Sequence, residues 1–122
     1  MSEFSSDPEA VVQRQLEAYN AKDIDALMAT FADDVEAFEY PNTLLFSSIE
    51  KMRQRLTLRL QEPNLQAQLL NRIVMGNLVI DHEIVTRTFP EGAGQLETIV
   101  IYEVRDGKIA KNWFVVGTKT LT

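Results

Sequence analysis

Three short turn signals divide the second half of this chain into stretches of strand-like sequence. They are Gly76-Asn77, the tetrapeptide at 91–94 and Asp106-Gly107. Such pairs, and short glycine-containing loops, favour the turns that join neighbouring antiparallel strands. Consecutive hairpins form a meander, in which each strand lies beside the next. The sequence therefore predicts four antiparallel strands, near 66–75, 78–89, 95–104 and 108–116.

Two helices are predicted in the first part of the chain. Asp7-Pro8 is a typical helix start, with the aspartate as the cap and the proline in the first turn. An apolar stripe continues from there to about Asn20. A second stripe of helical spacing begins at Asp23. We expect this second helix to end near Asp33-Asp34.

A third helix is predicted between residues 47 and 63. Ser47 and Glu50 have the spacing of a capping box, apolar residues follow at helical intervals, and Pro63 ends the pattern. The stretch 35–40 lies between the second and third helices and is predicted to be a short strand. The first half of the chain is therefore mainly helical and the second half is strand.

Composition indicates one globular domain over residues 1–122. Hydrophobic residues make up 45% of the chain and charged residues 25%, which are ordinary values. The absence of cysteine excludes disulfides, thiolate zinc sites and cysteine nucleophiles. With a single histidine we expect no transition-metal site. No phosphate-cradling glycine motif is present, so we expect no organic cofactor.

The formal net charge of −6 argues against nucleic acid as a partner, because phosphate binding needs a basic face. The basic residues are scattered apart from Arg53, Arg55 and Arg59, which are predicted to form the solvated side of the third helix. The first residues lack the pattern of a signal peptide, and no apolar run reaches transmembrane length. A cytoplasmic location without membrane association is expected.

The element order predicts an α+β fold, a cone-shaped roll of a curved antiparallel sheet with three N-terminal helices packed on its concave side. Curvature leaves a mostly apolar cavity on that side, where small molecules are usually bound. The strand 95–104 is apolar on both faces. The second apolar face indicates either further burial or a partner sheet, and we expect a homodimer formed through the outer face of the sheet.

Three segments of the chain resemble the nuclear transport factor 2-like superfamily, in its SnoaL-like and ketosteroid isomerase-like branch. They are AYNAKDIDALMATFADDVEAF at 18–38, VIDHEIVT at 79–86 and IYEVRDGKIAKNWF at 101–114. The resemblance covers nearly the whole chain and implies the cone-like fold and a homodimer. It leaves the function open, because this fold hosts isomerases, epoxide hydrolases, cyclases, dehydratases and proteins that only bind.

The resemblance implies that Glu39 takes the general-base position of a ketosteroid isomerase. Burial of a carboxylate in an apolar cavity would suit it to proton abstraction, whereas a glutamate at the rim would only meet water. The tyrosine and carboxylic acid of the isomerase oxyanion hole fall at Gln15 and Val100, which cannot replace them. Tyr19, one turn later, is a partial substitute. Tyr40 is a neighbour of the candidate base.

The catalytic residues of limonene epoxide hydrolases are also missing. The positions that match their arginine and two aspartates are Ile84, Thr86 and Phe114. Neither enzyme's complete set is present, so neither activity is inherited from the resemblance.

His82 is the second candidate for chemistry. On a strand its side chain shares a face with Ile80, Ile84 and Thr86, and that face matches the pocket side in the resemblance. A proton-transfer role competes with an ordinary structural one. Asp81 and Glu83 then point to the other face, as surface or interface charges.

The remaining wall residues depend on the turn at Asp106-Gly107. A two-residue loop pairs Tyr102 with Lys111, whereas a three-residue loop pairs Val100 with Asn112. We favour the three-residue loop, because it places Phe114 on the family's pocket side and Trp113 on the outer face. Ordinary core packing is the alternative for these side chains. The wall residues expected on this basis are Tyr19, Tyr40, Ile84, Thr86, Val100, Tyr102, Asn112 and Phe114.

Two functions remain open from the sequence. The first is an enzyme of the isomerase, cyclase or dehydratase type, in which Glu39 abstracts a proton next to a carbonyl and His82 or a tyrosine stabilises the oxyanion. The second is a non-catalytic protein that binds a small apolar molecule. A third, a dimerisation module, would need a cavity filled by its own side chains.

Overall fold

A computed structural model of the chain describes residues 6–122, in which three helices pack on one face of a six-stranded sheet. The helices are α1 (Pro8–Ala21), α2 (Ile24–Met28) and α3 (Ile49–Arg59). The strands are β1 (Phe31–Glu39), β2 (Thr43–Ser47), β3 (Gln66–Met75), β4 (Leu78–Phe89), β5 (Gly92–Arg105) and β6 (Lys108–Leu121). The α+β cone predicted from the sequence is confirmed, as a curved sheet that does not close.

The sheet has the order β2-β1-β6-β5-β4-β3. Strands β3 to β6 form the predicted meander, and β2 forms a further hairpin with β1 that the sequence did not predict. The sheet is mixed rather than wholly antiparallel, because β1 runs parallel to β6. This parallel pair joins the two halves of the chain, since the helical first half contributes only β1 and β2 to the sheet.

The second helix is much shorter than predicted. Helix α2 ends at Met28, and the residues expected to complete it begin strand β1 instead. Phe31, Val35 and Ala37 are buried, and β1 is held in register by pairing with β6. Tertiary pairing overrides a helical pattern that is only local.

Helix starts are set by side-chain caps. The Asp7 carboxylate accepts a hydrogen bond from the Ala10 amide at 3.3 Å, as the sequence predicted. Helix α3 is capped by Ser48 rather than by Ser47, and its hydroxyl oxygen accepts from the Lys51 amide at 3.4 Å. The cap is therefore displaced by one residue, and Lys51 stands where a capping box needs glutamate or glutamine, so the predicted box does not form.

Two of the three hairpin turns lie at their predicted positions. Gly76-Asn77 joins β3 to β4, and Asp106-Gly107 joins β5 to β6. The middle turn is formed by Pro90-Glu91, so β5 begins three residues earlier than expected, at Gly92. Strand β6 likewise extends to Leu121, where its last residues pair with the start of β5.

A buried ion pair ties the meander to helix α1. Arg72 donates from Nε and Nη2 to the two carboxylate oxygens of Asp81, at 2.7 and 2.9 Å, and from Nη1 to Gln13 Oε1 at 2.9 Å. The Asp81 side chain is fully buried and that of Arg72 is 8% exposed. Hydrogen bonding to Asp81 raises the pKa of the guanidinium. The pair neutralises two charges on the inner face of the sheet.

We predict that Arg72→Met lowers the free energy of unfolding by about 3–5 kcal/mol, because it leaves the buried Asp81 carboxylate without a counter-ion. The matched control is Arg105→Met, which removes an exposed ion pair with Asp34 and is expected to cost less than about 1 kcal/mol. Urea unfolding at pH 7 measures both. Equal losses in the two variants would contradict a special role for the buried pair.

Candidate functional site

A cavity of about 280 Å³ lies between the inner face of the sheet and helices α1 and α3. Its size is near the lower end of the roughly 300–1,000 Å³ typical of small-molecule sites. Helix α1 contributes Gln15, Leu16 and Tyr19, and α3 contributes Met52 and Leu56. The sheet contributes polar groups from β4, β5 and β6, so the cavity has an apolar body with polar side chains on its sheet wall.

Strand β4 presents to the cavity the face opposite to the one predicted. Glu83, Val85 and Arg87 line the cavity, whereas His82, Ile84 and Thr86 point to the outer face of the sheet. The predicted pocket positions of these last three residues are therefore corrected. The physical reason is that Arg72 neutralises Asp81, which allows charged residues to occupy the inner face.

His82 interacts on the outer face with strand β5. Its Nε2 lies 2.6 Å from Glu97 Oε2, and both side chains are partly exposed to solvent. His82 and the cavity therefore lie on opposite faces of the sheet.

The β5–β6 hairpin has the two-residue turn of one prediction and the side-chain orientation of the other. The turn has two residues, with φ values of 52° for Asp106 and 76° for Gly107. A bulge between Val104 and Glu103 then shifts the register, so that Tyr102 pairs with Asn112. The favoured three-residue loop is therefore wrong.

The faces expected from that loop are nevertheless the observed ones. Val100, Tyr102, Asn112 and Phe114 line the cavity, and Trp113 stacks on Phe38 at 5.6 Å on the outer face. A bulge adds one residue to one strand, and this restores the side-chain alternation that a three-residue loop would give.

Glu83 is the acidic group of residues 6–122 whose pKa is shifted most by its surroundings. Its residue is 5% exposed, and no hydrogen bond from residues 6–122 lowers the pKa of its carboxyl group. Burial, with a smaller contribution from the nearby Asp81 charge, raises the pKa of Glu83 to about 7, although Arg72 acts against this. A carboxyl group with that pKa exchanges a proton readily near neutral pH.

Two buried polar atoms on the sheet wall have no partner among residues 6–122. They are Thr98 Oγ1 and Asn112 Oδ1, in residues that are 8% and 3% exposed. Thr98 is the direct cross-strand partner of Glu83, so the two side chains leave the sheet next to each other. Buried polar atoms without partners are costly, and a ligand in the cavity would satisfy both.

Two tyrosines add hydroxyl groups to the cavity. Tyr102 donates a long hydrogen bond of 3.3 Å to Gln15 Oε1, and burial raises its pKa well above the usual value. Burial also raises the pKa of Tyr19, although the Arg59 guanidinium beside its hydroxyl acts against this. Both hydroxyls are therefore protonated donors at neutral pH.

Glu39 lines the cavity from the end of β1, in an exposed position. It pairs with Phe114 of β6, which places it three strands away from Glu83 in the sheet. Tyr40 is 56% exposed and does not line the cavity, which corrects its predicted wall position. The two candidate bases therefore occupy different parts of the site, Glu83 in the buried part and Glu39 at the open end.

Three arginines border the cavity, contrary to the expectation of a wholly solvated helix face. They are Arg55 and Arg59 of α3 and Arg87 of β4. Glu62 accepts two hydrogen bonds from Arg87, at 3.2 and 2.7 Å, and one from the Thr88 amide at 3.1 Å. Burial alone would raise the pKa of Glu62, but these hydrogen bonds hold it below its ordinary value.

Residues 6–122 contain neither a metal-binding cluster nor a membrane-spanning helix. No cluster of three or more histidine, cysteine, aspartate or glutamate side chains there has an arrangement suited to a metal ion. Within the same residues, no helix has the length and apolar character needed to cross a membrane.

Residues 12–112 match the sequence model of the SnoaL-like domain, which covers most of the chain. The chain therefore belongs to the SnoaL-like domain family, and the suspected superfamily is confirmed. No curated protein matches the sequence.

Solved structures with the same fold are related only distantly in sequence. An uncharacterized cystatin fold protein from Novosphingobium aromaticivorans is 21% identical, with a TM-score of 0.79 over 88% of this chain and 97% of that one. An LEH-like epoxide hydrolase of M. tuberculosis is 16% identical, with a TM-score of 0.79 over 95% and 86%. An NTF2-like protein from Cytophaga hutchinsonii is 11% identical, with a TM-score of 0.74 over 95% and 93%. At these identities the likeness shows the fold alone.

We predict that Glu83→Gln stabilises the protein at high pH. The pKa of Glu83 is raised from 4.5 to about 7 on folding, so the native state holds the proton more tightly than the unfolded state. Stability is then highest below about pH 4.5 and is lost as the pH rises through 7. At pH 8 the variant should gain up to roughly 3 kcal/mol, and near pH 4.5 the difference should fall below about 1 kcal/mol.

Chemical denaturation at pH 4.5, 6 and 8 measures this difference. Glu62→Gln is a control of opposite sign, because a lowered pKa contributes stability that is present at high pH and lost on acidification. A gain in Glu83→Gln that does not change with pH would contradict the prediction.

Proposed function

We propose that this chain is an enzyme of the isomerase, cyclase or dehydratase type that moves a proton next to a carbonyl group of a small, mostly apolar molecule. The observation that carries the proposal is the side-by-side placement of Glu83 and Thr98 on the cavity wall. One is a buried carboxyl group that titrates near pH 7, and the other is a buried hydroxyl without a partner among residues 6–122.

In this mechanism Glu83 is the general base. Its ionised form removes a proton from the carbon next to the carbonyl and returns it at the new position, so the proton is conserved through an isomerisation. Thr98 donates its hydroxyl proton in a hydrogen bond to the carbonyl oxygen as negative charge develops there. Asn112 Oδ1 accepts from a hydroxyl or N–H group of the ligand. The apolar body of the cavity excludes water and strengthens these contacts.

This assignment replaces the roles inferred from the sequence. His82 lies on the other face of the sheet and takes no part. Glu39, the base position implied by the resemblance, lines the open end of the same cavity and is the competing candidate. The two carboxylates can be separated by experiment because they lie on different strands.

Non-catalytic binding is the second candidate function. It is favoured by Tyr102, whose hydroxyl already donates to Gln15 and is not free to stabilise an oxyanion. A binding protein would hold its apolar ligand unchanged, and its affinity would survive the loss of Glu83.

A homodimer formed through the outer face of the sheet is the proposed assembly. That face carries apolar side chains beside the His82–Glu97 pair, among which Ile99 is 37% exposed and Ile101 and Trp113 are partly exposed. Covering such a surface with a second copy removes apolar area from water. The cytoplasmic location expected from the sequence remains a prediction.

We predict that Glu83→Gln abolishes proton exchange, whereas Glu39→Gln retains it. The assay follows deuterium incorporation next to the carbonyl by NMR, in D2O, for a panel of cyclic and unsaturated ketones. Wild-type exchange should rise with pH through about 7, as Glu83 ionises. A loss of at least about a hundredfold is expected in Glu83→Gln, the usual contribution of a general base.

Other outcomes of that assay have a definite meaning. Full exchange in Glu83→Gln would sink the proposed mechanism. Loss in Glu39→Gln alone would return the base to the end of β1. Ligands that bind without exchange in the wild type would favour the binding protein.

We also predict that the 13.9 kDa chain sediments at twice its mass and that Ile99→Glu shifts it to the monomer, because a charge would be buried at the interface. Leu58→Glu is the matched control, since Leu58 is 68% exposed on helix α3 and lies away from the sheet. Analytical ultracentrifugation distinguishes the two variants. A monomeric wild type at micromolar concentration would contradict the dimer.

A further inference from the structure

The open end of the cavity has an excess of positive charge. Three guanidinium groups border it, from Arg55, Arg59 and Arg87, and Glu62 is the carboxylate that reaches them. The chain as a whole has a net charge of −6. A basic rim on an acidic protein is therefore a local feature, and not a consequence of overall composition.

Glu62 pairs more closely with Arg87 than with Arg59. Its two oxygens accept from Arg87 and from the Thr88 amide, which uses most of their capacity. Arg59 Nε lies 3.6 Å from Glu62 Oε2, which is too long for a hydrogen bond. The Arg59 guanidinium therefore keeps N–H donors that Glu62 does not use, one of which faces the Tyr19 hydroxyl.

Arg55 has no carboxylate partner within residues 6–122. Its guanidinium lies over the ring of Phe46, 4.7 Å from the ring centre, and this contact holds it against the cavity wall. Glu39 also lines the cavity, but it forms no ion pair with any of the three arginines in the described part of the chain. Arg55 and Arg59 are four residues apart on α3, so they project on the same side of the helix.

We infer that Arg55 and Arg59 bind the carboxylate of an apolar acid whose hydrocarbon part fills the cavity. A carboxylate is favoured because guanidinium groups match its planar geometry with paired hydrogen bonds. This inference deepens the proposed function and, for the identity of the substrate, rests on it. The substrate is then an apolar oxo acid, with the carboxylate at the rim and the carbonyl at Glu83 and Thr98.

The spacing along β4 sets the separation of the two ends. Glu83 and Arg87, whose partner Glu62 also lies 3.6 Å from Arg59, are four residues apart on the same face of the strand, roughly 13 Å between backbone positions. The long side chains at the rim shorten this span. A carboxylate held there is several bonds away from the reacting carbon, so the charged group positions the substrate and takes no part in the proton transfer.

The test compares octanoate with 1-octanol, two probes with the same hydrocarbon chain, by isothermal titration calorimetry. Octanoate should bind at least about tenfold more tightly, and its affinity should fall as sodium chloride is added. In Arg55→Gln and Arg59→Gln the octanoate affinity should drop about three- to tenfold, with that for octanol unchanged. Unchanged octanol binding also shows that the cavity is intact in each variant.

Arg53→Gln is the matched control, because Arg53 lies on the same helix, is paired with the exposed Asp25 and does not line the cavity. Its octanoate affinity should equal that of the wild type. Equal affinity for the two probes in the wild type, binding of neither, or an equal loss in Arg53→Gln would overturn the inference. If octanoate is preferred but no ketone or oxo acid exchanges its protons, the proposed proton transfer is wrong although the carboxylate site is present.

Discussion

The ion pair between Arg72 and Asp81 is the contact on which the inner face of the sheet depends. It places a bidentate pair in the interior and links strands β3 and β4 to Gln13 of helix α1. Without the guanidinium, a buried carboxylate two residues from Glu83 would oppose folding. With it, strand β4 can carry acidic residues into the cavity. The chemistry proposed for the site therefore begins with a structural contact that does not line the cavity.

Much of the architecture could be predicted from the chain because its signals are local. The turn pairs Gly76-Asn77 and Asp106-Gly107 set the hairpins, and the cap at Asp7 set the first helix. The limits of α2 could not be predicted, because the parallel pairing of β1 with β6 is a contact between distant parts of the chain. Local periodicity carries no information about such a partner.

The site was predicted only in part, for a different physical reason. Tyr19, Glu39, Val100, Tyr102, Asn112 and Phe114 do line the cavity, but strand β4 was placed with the wrong face inward. The resemblance favoured the face of His82, Ile84 and Thr86 as the pocket side, whereas the structure turns the opposite face, with Glu83 and Arg87, towards the cavity. The signal that could have corrected it is the presence of Arg72 one hairpin away from Asp81, since each neutralises the other. Thr98 could not be predicted as a cavity residue, because threonine is common in strands.

The bulge in the β5–β6 hairpin has a consequence for how this fold can change its length over evolution. Side chains on a strand alternate, so adding or removing one residue in the hairpin would send Asn112 and Phe114 outward and bring Trp113 into the cavity. A change of two residues keeps every side chain on its own side. The hairpin therefore tolerates insertions in pairs, and a single insertion survives only where a second irregularity, such as the bulge beside Val104, restores the alternation.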